Sequence, residues 1–229
     1  MPASEIRAMF TRIARRYDLM NSLMTGGRHH AWRAAVARAA AEAPPGPALD
    51  LATGTADLAL ALRAVAPGRT VVGADFAEGM LGVARAKLAA RGAPRVPLLA
   101  ADALALPFRD GTFACVMSAF LLRNLEDLAR GLAEMRRVTR PGGRVLALDI
   151  VRPDVPVWGA VFALYFHRVV PAVGALVARD RRAYTYLPQS VDRFATPGEL
   201  ARLMETAGLR DVSYRRYGLG TIALHVGVA

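Results

Sequence analysis

The sequence predicts an α/β fold of Rossmann-like type: a mostly parallel central sheet, a C-terminal antiparallel hairpin and helices on both faces. Short apolar runs alternate with helical stretches of about 10–15 residues, the mark of βαβ units. The first three strand candidates run into glycine, aspartate and small residues, at the end of the sheet where open α/β folds hold ligands. The 229 residues, 54% hydrophobic and 21% charged, suit one packed domain rather than a disordered chain.

Residues 1–43 read as an N-terminal helical cap. Its alanine-rich part, 34–43, has Trp32 and Val36 on one side and Arg33, Arg38 and Glu42 elsewhere. It stops at Pro44-Pro45-Gly46-Pro47, which cannot continue a helix. A strand follows at 48–52, a helix at 57–65, a strand at 70–74 and a helix at 78–91. Strands at 96–100 and 113–118, a helix at 125–139 and a strand at 144–150 complete the alternation. Residues 151–195 break it and read as a helical insertion or lid, with helices at 155–178 and 180–191, over the carboxyl ends of the strands. Thr196-Pro197-Gly198-Glu199 is a helix start: a Thr N-cap, Pro at the first helical position and Glu three residues after the Thr. That helix ends at Gly208. Strands at 212–217 and 221–227 form a hairpin about Gly218-Leu219-Gly220. Residues 1–229 are read as a single domain.

The net charge of +11 invites a polyanion such as nucleic acid or an anionic membrane surface. Lys87 is the only lysine and the arginines are scattered among alanines, so composition bias explains the charge as well. Cys115 is the only cysteine, which excludes an intrachain disulfide and a Cys-rich metal site and marks a buried thiol. Charges begin at Glu5 and no long apolar region follows, so no signal peptide is expected and the location is read as cytoplasmic. Twelve uncharged residues at 155–166 are interrupted soon after by His167, Arg168 and Pro171. The run is too broken for a span of roughly 20 apolar residues and reads as a surface that lies against a bilayer or forms a lid.

The first strand runs into Asp50-Leu51-Ala52-Thr53-Gly54-Thr55-Ala56-Asp57. Gly54 admits close approach of a ligand to the backbone, and the next helix start offers unpaired N–H donors. Ordinary turn chemistry accounts for the same residues. Asp75, ending the second strand, can accept from both hydroxyls of a ribose, or cap the following helix. Asp102-Ala103, after the third strand, suits an adenine amino group and ring nitrogen. Together the three strand ends fit an adenosyl ligand. The dinucleotide fingerprint G-x-G-x-x-G is absent.

Leu49-Asp50-Leu51-Ala52-Thr53-Gly54-Thr55 with Asp75, Leu106-Pro107-Phe108, Asp110-Gly111-Thr112-Phe113 and Arg140-Pro141-Gly142-Gly143 resemble the landmarks of class I S-adenosylmethionine (SAM)-dependent methyltransferases. Tyr17 to Met24 with His30-Ala31-Trp32-Arg33, and Phe120-Leu121-Leu122-Arg123-Asn124, are similar to two signatures of the ubiquinone/menaquinone biosynthesis C-methyltransferases. Tyr184 to Val191 and Ala223-Leu224-His225 follow the same pattern, so the resemblance covers nearly the whole chain. Two positions depart from it: Ala56 stands where many class I enzymes have glycine, and Leu121 where glycine is usual, a bulk expected to narrow the substrate pocket or to signal a diverged substrate.

The resemblance implies SAM as cofactor, bound by Asp50, Gly54, Thr55, Asp75, Asp102 and Ala103. It implies C-methylation of a prenylated quinol ring, with demethylmenaquinol favoured by the Thr-Gly-Thr-Ala-Asp variant and a benzoquinol as the equivalent. Another small hydrophobic aromatic substrate is the alternative. Arg123 is the expected catalytic residue, stabilising the developing phenolate, since a guanidinium is a poor base; pairing with Asp149 or Glu126 is the competing role. Tyr17, Asn21 and Asn124 are expected substrate contacts, while Met20, Leu23 and Met24 suit the core. His29, His30, His167 and His225 are alternative bases, and no metal is expected. The partners expected are the hydrophobic quinol, an anionic membrane contacted peripherally and a second copy in a homodimer. No RNA-binding module or aromatic-basic stripe supports nucleic acid.

Overall fold

A computed structural model of the chain describes residues 2–92, 96–152, 166, 168 and 181–229. Two helices come first, α1 (Ala3–Thr25) and α2 (Arg28–Ala41). In α1 the buried Ile6, Met9, Ile13 and Met20 recur at helical spacing and form its inner face. Gly26 and Gly27, at φ 56° and 75°, end it and turn the chain into α2. The alternating core follows as β1 (Ala48–Leu51), α3 (Asp57–Val65), β2 (Val71–Asp75), α4 (Glu78–Ala90), β3 (Leu98–Ala100) and β4 (Phe113–Ala119). A 3-10 turn (Leu122–Asn124) leads to α5 (Leu128–Val138) and β5 (Thr139–Ile150). The chain then gives α6 (Arg181–Asp192), α7 (Pro197–Thr206), β6 (Arg210–Tyr217) and β7 (Ile222–Val228). The expected helix at 155–178 lies outside the described residues.

The sheet order is β3-β2-β1-β4-β5-β7-β6, with β1 to β5 parallel and β7 antiparallel to both β5 and β6. The expected hairpin is present, and it docks by its second strand rather than its first. The chain order reverses between β1 and β4, the switch point at which open sheets form a crevice. Alternation along each strand divides the core into two layers. Leu49, Leu51, Val116, Val145 and Ala147 pack with Leu132 and Met135 of α5 and Leu200 and Met204 of α7. Ala48, Cys115, Met117, Leu146 and Leu148 pack with α2, α3 and Ala84 and Leu88 of α4. Cys115 is buried as expected, and burial pushes its thiol up to about 12.

Local boundaries differ where side chains cap the backbone. The helix expected from 125 starts at Leu128, because the Asp127 carboxylate accepts from the Arg130 N–H at 2.9 Å. Thr196 and Glu199 form the expected capping box. No helix among the described residues is long and apolar enough to cross a membrane.

Candidate functional site

Two cavities lie at the carboxyl ends of the parallel strands. The smaller, about 80 Å³, is walled by Ala52 and Gly54 after β1, Asp75 and Phe76 at β2, and Asp102 and Ala103 after β3. An open cleft of about 370 Å³ borders the same Phe76 and Asp102. The larger, about 280 Å³, is enclosed by the inner face of α1, by Trp32 of α2, by Arg123 and by Ile150 and Ile222 of β5 and β7. Phe10, Tyr17, Phe120 and Asn124 line both.

The loop after β1 has left-handed residues at alternate positions: Ala52 at φ 56°, Gly54 at 56° and Ala56 at 69°. Such strain collects at ligand sites. A side chain on Gly54 would find no atom within 4 Å, so its open face is available to a ligand. Ala56 is fully buried, and its methyl packs beside α3, which offsets part of the cost of its positive φ. Asp75 is 5% exposed; its Oδ2 accepts from the Gly54 N–H and its Oδ1 from the Ala77 N–H, each at 2.8 Å. Burial pushes this carboxyl above the ordinary range against those hydrogen bonds. It therefore shapes both the loop and the start of α4 while lining the cavity. Asp102 is exposed at the same cavity, with Oδ1 accepting from the Leu104 N–H at 2.9 Å.

Asp50 and Thr55 do not line either cavity among the described residues. Alternation along β1 puts Asp50 on the α3 side with Ala48. There its Oδ2 accepts from Thr53 Oγ1 at 2.7 Å and the Ala59 N–H at 3.0 Å. Burial raises its pKa to about 7, those two bonds acting the other way. The Thr55 hydroxyl donates to Asp18 Oδ1 at 2.7 Å and accepts from Lys87 Nζ at 2.8 Å. Lys87 also meets Asp18 Oδ2 at 2.5 Å and Asp57 Oδ1 at 2.6 Å, joining α1, α3 and α4 around the loop. Sequence reasoning did not single out this cluster. A half-buried lone lysine paired with carboxylates far away along the chain has no local pattern.

Arg123 lines the larger cavity and is ion-paired to Asp149 Oδ1 through Nη1 at 2.5 Å, with side-chain exposures of 6% and 0%. The Arg123 N–H donates to Asp149 Oδ2 at 3.2 Å, while Nε is buried without a partner. Asn21 also faces this cavity, and its Nδ2 is a second buried donor without an acceptor. Asn124 differs from the expectation of a free substrate contact. Its Nδ2 donates to Phe120 O at 2.9 Å and its Oδ1 accepts from the Tyr186 hydroxyl at 3.2 Å. Leu121, expected to narrow the substrate pocket, lines the smaller cavity instead and takes a right-handed backbone, so it narrows nothing in the larger one.

The remaining candidates separate cleanly. Met20 is core as expected, Met24 lines the larger cavity, and Leu23 is 52% exposed because it faces away from the cap's inner side. His29 is buried between Ser22 and Arg33, and burial first, then the Arg33 charge, lowers its pKa to about 4. It stands near His30 and Asp57, but Arg33 and Lys87 already supply cations to that group. His225 is buried against Pro197 O at 2.9 Å, outside both cavities. His167 lies outside the described residues. Glu126 borders the smaller cavity and does not pair with Arg123.

Two joined chambers, one edged by a strained glycine loop and strand-end aspartates and one apolar, are the site plan of a class I SAM-dependent methyltransferase. The fold agrees: a SAM-dependent methyltransferase from Aquifex aeolicus superposes with a TM-score of 0.65 at 19% identity, covering 93% of this chain and 98% of that one. A profile of the ubiE/COQ5 methyltransferase family matches residues 2–229, and the chain belongs to that family. Its relatives include the demethylmenaquinone methyltransferase of Thermus thermophilus, 48% identical over 219 residues, covering 96% of this chain and 99% of the relative. The ubiquinone/menaquinone biosynthesis C-methyltransferase UbiE of Methylobacterium nodulans is 42% identical over 225 residues, covering 97% and 89%. The enzyme uses SAM, and the smaller chamber suits it. Gly54 leaves open space, and Asp75, Asp102 and Ala103 line the same cavity.

Proposed function

We propose that the enzyme C-methylates the ring of a prenylated quinol, demethylmenaquinol in the first instance. The observation that carries this reading is the larger chamber: an apolar cavity against the cofactor chamber, with the donor-bearing side chains of Arg123 and Asn21 among its few polar lining residues. A mostly apolar wall with a few donor side chains suits a ligand that carries acceptor oxygens on an apolar frame, as in a quinol. The relatives' names supply the ring type. Within this reading the smaller chamber takes the SAM ribose on Asp75, the adenine near Asp102-Ala103 and the methionine part near Gly54. Asp50 and Thr55 support the loop from behind through Thr53, Ala59, Asp18 and Lys87.

The chemistry supplied by the cofactor is a methyl group activated on a sulfonium. The chain's own residues orient the acceptor carbon and exclude water. An aromatic carbon becomes nucleophilic once the neighbouring hydroxyl is ionised. Arg123, oriented by Asp149, stabilises that oxyanion, and Asn21 holds the second oxygen. Tyr17 bridges the two chambers. The test is methyl transfer from SAM to short-chain demethylmenaquinol, with the matching benzoquinol as comparison. Arg123→Ala is expected to lower kcat about 10²–10³-fold, with part of the loss recovered as pH rises and solvent base ionises the quinol. Failure of the wild-type chain to methylate either ring rejects the reading; an Arg123→Ala enzyme with full kcat rejects only the role of Arg123.

Peripheral membrane contact belongs to the same proposal, because the substrate is lipid-borne. The 155–178 segment first expected to make it lies outside the described residues. Support comes from the rim of the larger cavity, where Leu219 is 68% exposed and Arg28 lies beside the opening. Flotation with anionic vesicles is expected to recover the protein and to weaken with salt. Equal recovery with neutral vesicles, or none with either, removes the electrostatic contact.

A further inference from the structure

Phe120 stands where the two chambers meet, and its side chain lines both. Its backbone is left-handed, φ 67°, whereas the following Leu121 is right-handed, so the strain of the turn after β4 falls on the aromatic residue. That conformation costs a non-glycine residue about 1–2 kcal/mol. It persists where the surroundings impose it, which is common at functional sites.

The surroundings here are specific. The Phe120 N–H donates to Leu148 O at 2.7 Å, and its carbonyl accepts from Asn124 Nδ2 at 2.9 Å. Two guanidiniums lie over the ring, Arg33 at 5.3 Å and Arg123 at 5.7 Å from its centroid. Both cations are themselves held, Arg33 by His29 Nδ1 and Arg123 by Asp149. Cations are drawn to an aromatic face by its quadrupole, so the ring is gripped electrostatically as well as by packing. Asn124 and Tyr186 complete the support from the other side. A phenyl group that merely filled space would need neither the strained turn nor two buried cations over it.

We propose that Phe120 is a positioning residue: its ring is the septum between the cofactor and substrate chambers and sets how far the acceptor carbon advances toward the methyl donor. Asn124 acts through it by fixing the strained carbonyl. The inference rests on the two-chamber assignment above, which Met24→Trp tests separately because Met24 lines the larger cavity alone.

The experiment compares Phe120→Tyr, Phe120→Leu and Phe120→Gly in the full chain, reading the unfolding midpoint together with kcat and KM for short-chain demethylmenaquinol. Glycine relieves the positive φ but empties the ring's volume, whereas leucine keeps the strain and part of the volume. Activity is therefore read well below every unfolding midpoint, where a purely structural residue leaves kcat near wild type in each folded variant. The septum lowers kcat as ring width is lost. Activity falls from Tyr to Leu to Gly, with kcat for the glycine variant down about 10²-fold, the scale of a misplacement near 1 Å. Asn124→Ala is expected to lower kcat in the wild type and to add little in the Phe120→Gly background. Full kcat in folded Phe120→Gly, or a loss of activity no greater than the loss of folded protein, overturns the septum. Unchanged quinol KM in Met24→Trp overturns the chamber assignment and the septum with it, whereas a raised KM leaves the Phe120 series to decide.

Discussion

Removing Asp149 while leaving Arg123 in place isolates a buried charge. Asp149 is fully buried and accepts three hydrogen bonds, from Arg123 Nη1, the Arg123 N–H and the Ile150 N–H, at 2.5, 3.2 and 2.8 Å. Asp149→Ala strips all three and leaves a guanidinium with 6% side-chain exposure uncompensated. Breaking a buried pair from one side costs about 3–5 kcal/mol. The two orphaned backbone donors keep the expectation at the upper end of that range, since each unsatisfied buried group costs about 1–3 kcal/mol on its own. Replacing both partners, Arg123→Met with Asp149→Leu, removes the isolated charge. The double variant is then expected to be more stable than Asp149→Ala alone, although it carries more substitutions. Urea unfolding of wild type, Asp149→Leu, Arg123→Met and the double variant closes the cycle, with Asp149→Ala measured beside it. If the double variant is as unstable as the sum of the two singles, Arg123 and Asp149 are not energetically coupled. The account of a held, oriented guanidinium is then wrong. Methyl transfer is expected to fall about 10²–10³-fold in every member that lacks Arg123, whichever way stability falls.

Asp50 and Lys87 give two further expectations. The Asp50 pKa is raised to about 7 in the folded chain by burial, against an unfolded value near 3.8. The native state therefore holds a proton that the unfolded chain releases, and stability falls as pH rises through about 4 to 7 by up to roughly 4 kcal/mol. Asp50→Asn is expected to flatten that slope in urea titrations, and an unchanged slope refutes the assignment. For Asp57, burial pushes the carboxyl up, but the hydrogen bond and charge of Lys87 outweigh it and hold the group below the ordinary range. The stability this contributes is present above the unfolded carboxylate value and lost as pH falls through the lowered folded one. Lys87→Met is expected to cost about 3 kcal/mol, the low end for a broken buried pair because Asp18 is 37% exposed. The variant should also reverse the acid-side dependence; a loss below about 0.5 kcal/mol, the scale of a neutral surface change, refutes the clamp.

The sequence by itself determined the order of the elements, because each carries its own period. Alternating strand ends, the Pro44–Pro47 break, the Thr196 capping box and the Gly218–Gly220 turn are local patterns that fold locally. It also determined which strand ends gather at one cavity, since Gly54, Asp75 and Asp102 each lie at or just after the end of a strand and parallel strands end on the same edge. Only the tertiary structure decided how those residues are used. Asp50 looked as exposed to a ligand as Asp75, yet it lies two residues deeper along the sheet, level with Gly73, where Thr53 and Ala59 take up its carboxylate. Asn124 looked like a substrate contact, yet Phe120 and Tyr186 occupy both ends of its amide. The partners of Arg123 and Lys87 stand 26 to 69 positions away along the chain, brought near by strand pairing and helix packing. Period and capping are set by neighbours within one or two turns, whereas the partner of a buried charge is chosen by which elements the sheet brings side by side. For that reason the chambers, the Asp149 pair and the strained Phe120 became visible only once β4 and β5 were seen adjacent, with α1 closed over their ends.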